Sequence, residues 1–94
     1  LSALDLGTYI DQLNGRGFRF THSDIMFIHF AQKYTDANDA VMIYALELVL
    51  SLKFSFDSSF YIALVEQLLE NKVSSKKDAI ALAKKLGLYD RLLT

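Results

Sequence analysis

The sequence predicts an all-α fold: antiparallel helical hairpins stacked as an α–α repeat, about five helices in all. Three observations carry this expectation. Proline is absent and glycine occurs only four times, which favours long helices and withholds the turn residues that an all-β chain needs. Apolar residues recur at helical spacing through most of the chain. The sequence also nearly repeats itself after 36 residues: Phe20 recurs as Phe56, Ser23 as Ser59, Ile28 as Leu64, Ala45 as Ala81, Leu46 as Leu82, Leu50 as Leu86 and Leu52 as Leu88. A period of that size points to stacked hairpins, each burying its apolar face on the next. Arrays of this kind usually bind and rarely catalyse. The 94 residues read as a single domain or as a piece of a longer solenoid, with a partial unit at 1–20 and units at about 21–56 and 57–92.

Each helix has its own punctuation. Ser2 followed by Asp5 has the spacing of a capping box and opens a first helix that runs to about Leu13. Asn14-Gly15-Arg16-Gly17 breaks it, and Phe18 and Phe20 alternate with Arg16 and Arg19 in a short extended connection. Ser23-Asp24 starts a second helix through about Tyr34, whose apolar run Ile25, Met26, Phe27, Ile28, Phe30, Ala31 covers most of its circumference and predicts a central position. Thr35-Asp36-Ala37-Asn38 supplies side-chain oxygens for the next N-terminus. The third helix, about Asp39 to Leu52, carries a single charge, Glu47, between Val41 and Leu50 and is predicted to be buried on several sides. It is too short to span a bilayer, where ~20 apolar residues are needed.

The connector then returns as Phe54-Ser55-Phe56-Asp57, an echo of Phe18-Arg19-Phe20-Thr21. Asp57 or Ser58 caps a fourth helix through about Glu70, with Tyr61, Leu64, Val65, Leu68 and Leu69 at core spacing. Ser75 and Asp78 form a second candidate capping box. The fifth helix turns Ala79, Ile80, Leu82, Ala83 and Leu86 inward, and Gly87 stops it. Leu88 to Leu93 begin a following unit or dock back as a final turn.

Composition limits the chemistry. Half the chain is hydrophobic, at 52%, enough for a core, so disorder is not expected. With no cysteine there is neither a disulfide framework nor a thiolate metal site. His22 and His29 share a helix face, but zinc requires a further convergent ligand, and His29 between Ile28 and Phe30 reads as a core-edge residue. Gly15-Arg16-Gly17 lacks the Lys-Ser/Thr of a phosphate loop, and no triad motif is present. The chain is therefore read as non-enzymatic, with no cofactor. Net charge is −1, a poor global match to a nucleic-acid binder, yet Lys72 to Arg91 holds six basic residues against two acidic ones. Lys76, Lys77, Lys84 and Lys85 form either the solvated face of an amphipathic helix or an anion-facing edge. Phe18 and Phe20 with Arg16 and Arg19 suggest base stacking. The competing and favoured reading is that the rings plug the junction between hairpins, as Phe54 and Phe56 would in the next unit. Glu47 is expected either to pair with a basic group such as Lys53 or Arg19 or, as the leading reading, to mark a solvent-facing edge.

The stretch Phe54-Ser55-Phe56-Asp57-Ser58-Ser59-Phe60-Tyr61-Ile62-Ala63-Leu64-Val65, followed by Asp78-Ala79-Ile80-Ala81-Leu82-Ala83, resembles the pentatricopeptide repeat. In that family a loop ending in Pro-Asp precedes a Tyr, a Leu-Ile pair and an Ala-Leu-x-Leu stretch. Tyr61, Leu64-Val65 and Ala79-Ile80-Ala81-Leu82 fit the pattern, and Asp57 fits the loop acid. The unit from Thr21 to about Phe56 has Ile25 in place of the Tyr. Phe20 and Phe56 stand where the family has proline, and apolar Met26 and Ile62 stand where it has a base-reading polar side chain. The tetratricopeptide family shares the hairpin architecture, but its signature contains tryptophan, which this chain lacks.

The resemblance implies a module associated with single-stranded RNA in organellar gene expression, mitochondrial in location. Its candidate RNA or anion contacts are Lys72, Lys76, Lys77, Lys84, Lys85, Arg16, Arg19 and Asp57. Flanking repeats of the same chain are possible neighbours. The alternative is an intracellular protein–protein scaffold with no nucleic-acid contact, supported by the acidic total and by Met26 and Ile62. A continuous basic concave groove would favour RNA, and an exposed apolar or acidic groove would favour protein; a compact five-helix domain with no groove would read as a dimerisation or adaptor element.

Overall fold

The computed structural model describes residues 4–89, which form five helices joined by short connections: α1 Leu6–Gly15, α2 His22–Thr35, α3 Asp39–Lys53, α4 Ser58–Glu70 and α5 Lys76–Lys85. No strand occurs among these residues, so the chain is all-α.

Side chains start every helix. Asp5, Thr21, Asn38, Asp57 and Ser75 occupy the N-caps and accept the backbone N–H of Thr8, Asp24, Val41, Phe60 and Asp78 respectively, at 2.7–3.1 Å, each satisfying one otherwise orphaned donor. At α2 the box closes both ways, because the Thr21 amide also donates to Asp24 Oδ2. Two starts differ from the sequence reading. Asp5 is itself the α1 cap rather than the far member of a box, and Ser2 lies outside the described residues. α2 begins before Ser23-Asp24, because Thr21 takes the cap and Asp24 the third helical position.

The helix ends share a device. Gly17, Asp36, Phe54, Lys72 and Gly87, one after each helix, all have positive φ. After α1, α4 and α5 the following amides of Phe18, Val73 and Leu88 reach back to the carbonyls of Leu13, Leu68 and Ala83 at 3.0–3.1 Å, so orphan acceptors are closed off by the tight left-handed turn.

α3 is the centre. It buries nine side chains, Val41, Met42, Ile43, Ala45, Leu46, Leu48, Val49, Leu50 and Leu52, and packs against α1, α4 and α5, while α4 also packs against α2. The helices thus form two layers, α1–α3–α5 over α2–α4. Beneath α3, Tyr61 of α4 is fully buried and its hydroxyl donates to the Met42 carbonyl at 3.1 Å. Asp39 ties three helices together. One carboxylate oxygen accepts the Leu6 amide of α1 at 3.0 Å, and the other accepts Gln32 Nε2 of α2 at 2.7 Å. The radius of gyration, 12.7 Å, is that of a globular domain of this length, about 12 Å.

Several expectations are corrected here. α2 is not central: it buries only Ile28 and Ala31, because a continuous apolar run does not specify which arc turns inward, and the more apolar α3 takes the middle. His29, next to Ile28 but about 100° around the helix, is exposed rather than at the core edge. Glu47 is ion-paired and only partly exposed, and its partner is Lys76 of α5, not Lys53 or Arg19. The near-repeat holds in one half of each unit. The N-caps Thr21 and Asp57 stand 36 residues apart, as do the left-handed Asp36 and Lys72. The next caps, Asn38 and Ser75, stand 37 apart, because one more residue separates Lys72 from Ser75 than separates Asp36 from Asn38. Ala45 is accordingly buried whereas Ala81, its sequence match, is exposed. The buried positions in register with Met42, Ala45 and Leu46 are Ala79, Leu82 and Ala83.

Candidate interaction surface

The predicted contact residues fall into separate groups. On α5, Lys76, Lys77 and Lys84 line a shallow groove with Ile80 and Ala81. Lys85 is exposed near the end of the same helix, and exposed Lys72 is the left-handed residue after α4. Lys76 is held by the Glu47 carboxylate, which removes one charge from the row. Arg16 and Arg19 sit in the α1–α2 connection instead, each on its own cleft. Glu47 separates the two groups, since it binds Lys76 and also lines the Arg16 cleft. Asp57 spends one carboxylate oxygen on the Phe60 amide as the α4 cap.

The four connector rings divide into two pairs. Phe20 and Phe56 meet edge-on with centroids 5.9 Å apart and lie half-buried between the layers. They are the plug expected at the junction. Phe18 and Phe54 are not: they are 41% and 79% exposed. The reason is local. Phe18 supplies the amide that closes α1, and Phe54 is itself the α3 C-cap, its N–H donating to the Leu50 carbonyl at 3.0 Å. Both belong to helix terminations, whereas Phe20 and Phe56 each stand immediately before the N-cap of the next helix, Thr21 and Asp57.

Phe18 and Phe54, with Leu50, form a wall shared by two neighbouring clefts. One, of about 280 Å³, continues to Arg19, Asp24 and Phe56. The other, of about 350 Å³, continues to Tyr9, Leu13, Arg16 and Glu47. Burial pushes the Tyr9 phenol up to about 12; Glu47 adds to the rise and Arg16 opposes it. Tyr9 therefore stays a neutral donor at physiological pH. Lys53 points away to Phe60, its Nζ 5.0 Å from the ring centroid.

A second surface was not singled out from the sequence. Met26, Phe30 and Tyr34, spaced by four along α2, are 57%, 54% and 68% exposed. Four-residue spacing puts them in one row, on the side of the helix away from the buried Ile28. A run of rings joins this row to the core: Tyr61 to Phe56 at 5.2 Å, Phe56 to Phe27 at 6.3 Å, Phe27 to Phe30 at 5.9 Å and Phe30 to Tyr34 at 5.7 Å. The spacing was visible in the sequence, but the apolar residues between these positions concealed it. At the positions aligned with base readers, Met26 belongs to this row and Ile62 is half-buried.

Among the described residues, no three His, Asp or Glu side chains are grouped so as to hold a metal ion. No helix there is long and apolar enough to cross a membrane. Neither the curated proteins nor the solved structures contain a match to this chain. One family model does match it, over residues 2–89, and the chain belongs to that family, a family of unknown function (DUF6123).

Proposed function

We propose that this chain is a non-catalytic binding module whose ligand is another polypeptide. The observation that carries the reading is the row Met26, Phe30, Tyr34 on the outer face of α2. Large apolar side chains exposed singly need no explanation, but a contiguous row is the usual mark of a protein interface. Two rings and a methionine are side chains that interfaces favour. Charge supports the same reading, because a net of −1 gives no field to draw in a polyanion.

The second reading is single-stranded RNA, favoured by the α5 row of Lys77, Lys84 and Lys85 with Lys72 nearby in sequence. Phosphate contacts release counterions, so such binding must weaken with salt.

One pair of measurements separates the two. Tagged protein is used to capture partners from the source cells, beside a variant carrying Met26→Ser, Phe30→Ser and Tyr34→Ser. In parallel, anisotropy follows a mixed-sequence single-stranded RNA at low and moderate salt. A stoichiometric polypeptide retained by the parent and lost by the variant supports the protein reading. Saturable, salt-sensitive RNA binding that Lys77→Glu with Lys84→Glu weakens, with no polypeptide distinguishing parent from variant, replaces it with the RNA reading.

A further inference from the structure

We propose that the connector end of the molecule, where Phe18 and Phe54 stand between Arg16 and Arg19, docks an acidic peptide segment bearing one large apolar anchor. The inference rests on the protein-binding reading, adds a site apart from the α2 row, and names the chemistry of what fills it.

The first argument is conformational. Phe54 has φ 61° and is 79% exposed. The left-handed region is unfavourable for L residues and an outlier for a bulky one. After α1 and α5 the positive-φ position is taken by glycine, without that penalty. Burial does not compensate, since most of the ring faces water. A strained, exposed aromatic residue is the kind of local cost that persists at binding sites.

The second argument is charge. Arg16 and Arg19 each line one of the two clefts that meet at the Phe18–Leu50–Phe54 wall. A carboxylate also lines each cleft, Asp24 with Arg19 and Glu47 with Arg16, but each is directed to another partner. Asp24 accepts the Thr21 amide, Asp57 accepts the Phe60 amide, and Glu47 binds Lys76. The Glu47–Lys76 pair is the one ion pair among the described residues, so neither guanidinium is ion-paired to a carboxylate of those residues. Guanidinium pairs best with a planar carboxylate in two-pronged fashion. An apolar side chain against Phe54 and Phe18, with an acid on either side of it, fills both clefts and satisfies both cations.

The same residues suit a nucleic acid less well. A phosphate chain requires cations in series along a groove. Here two arginines flank an apolar wall, Lys53 is turned to Phe60, and Glu47 stands between this end and the α5 lysines.

The test is a titration of the isotope-labelled protein, followed through its backbone amide resonances. Three probes are used: a short peptide with Glu and Asp around a central Trp, the same peptide with Lys for every acid, and a short uridine oligomer. The acidic peptide is expected to shift the amides of Phe18, Arg19, Leu50, Phe54 and Ser55 saturably and more weakly at high salt. Arg16→Glu with Arg19→Glu is expected to weaken it about tenfold or more. Phe54→Gly is expected to abolish the shifts while the protein stays folded, which separates loss of the site from loss of the fold. No shift at these amides at millimolar acidic peptide overturns the proposal, as does equal binding of the lysine peptide. Saturation by the uridine oligomer but not by the acidic peptide assigns the cations to phosphate and overturns it too. If the peptide fails while capture through Met26, Phe30 and Tyr34 persists, only this site is removed and the protein-binding reading stands.

Discussion

Three of the five helices end on a side chain where glycine would be less strained: Asp36, Phe54 and Lys72. Lys72 is exposed and closes α4 with the geometry that Gly17 and Gly87 give α1 and α5. Lys72→Gly is therefore expected to stabilise the protein by about 0.5–1 kcal/mol, a rise in Tm of several degrees for a domain this small, read by thermal circular dichroism. Phe54→Gly should do the same, and a fall in Tm would mean that the packing of the ring matters more than its backbone strain. Asp39 acts in the opposite sense. Hydrogen bonds from the Leu6 amide and then from Gln32 hold its carboxyl below the usual carboxylate range. Its contribution is complete above about pH 4 and is lost as pH falls through the depressed folded value. Asp39→Ala is expected to cost about 1–3 kcal/mol and to flatten the acid limb of urea-denaturation midpoints plotted against pH.

At the scale of the element, α2 has two apolar faces with different roles. Ile28 is fully buried and Phe30 mostly faces solvent. Ile28→Ala should cost ~2–4 kcal/mol through the cavity it leaves. Phe30→Ser should cost about 1 kcal/mol or less, because it loses only ring contacts with Phe27 and Tyr34. Equal losses in the two variants would mean that the outer row is part of the core. The α3–α5 contact has its own marker in Glu47 and Lys76. With Lys76 largely in water the pair contributes modestly, so Glu47→Gln should cost ~0.5–1 kcal/mol at low salt, and the difference should shrink as salt is added.

For the molecule as a whole, the buried phenol of Tyr61 and the partly buried phenol of Tyr9 set an alkaline limit. Packing α1 on α3 raises Tyr9 to about 12, and burying Tyr61 beneath α3 raises it further still. In the unfolded chain both release their protons near pH 10. Stability is therefore intact below about pH 10 and falls above it, because the unfolded state then holds fewer protons than the native state. For Tyr9 the window closes near 12. Denaturant midpoints between these limits should decline with pH, and less steeply in Tyr9→Phe. Identical slopes would show that the Tyr9 phenol is not enclosed by the α1–α3 contact.

The sequence by itself determined the five helices and most of their limits. Caps and stops are short-range chemistry, so Ser75 and Gly87 were legible as single residues, Asp57 as one of two candidates with Ser58, and Asn38 within the group Thr35-Asp36-Ala37-Asn38. Thr21 was missed only because Ser23-Asp24 offered a similar oxygen two residues later. It also marked Arg16 and Arg19 beside aromatic rings. What only the tertiary structure decided is how the faces are used. A helix apolar all round gives no sign of which arc is covered, so the Met26–Phe30–Tyr34 row emerged only once α3 had taken the centre. The partner of Glu47 was equally hidden, because Lys76 lies across a helix contact that no local spacing encodes. Phe18 and Phe54 share their sequence pattern with Phe20 and Phe56. The left-handed ends of α1 and α3 send one pair outward, while the other pair folds in just before the N-caps Thr21 and Asp57.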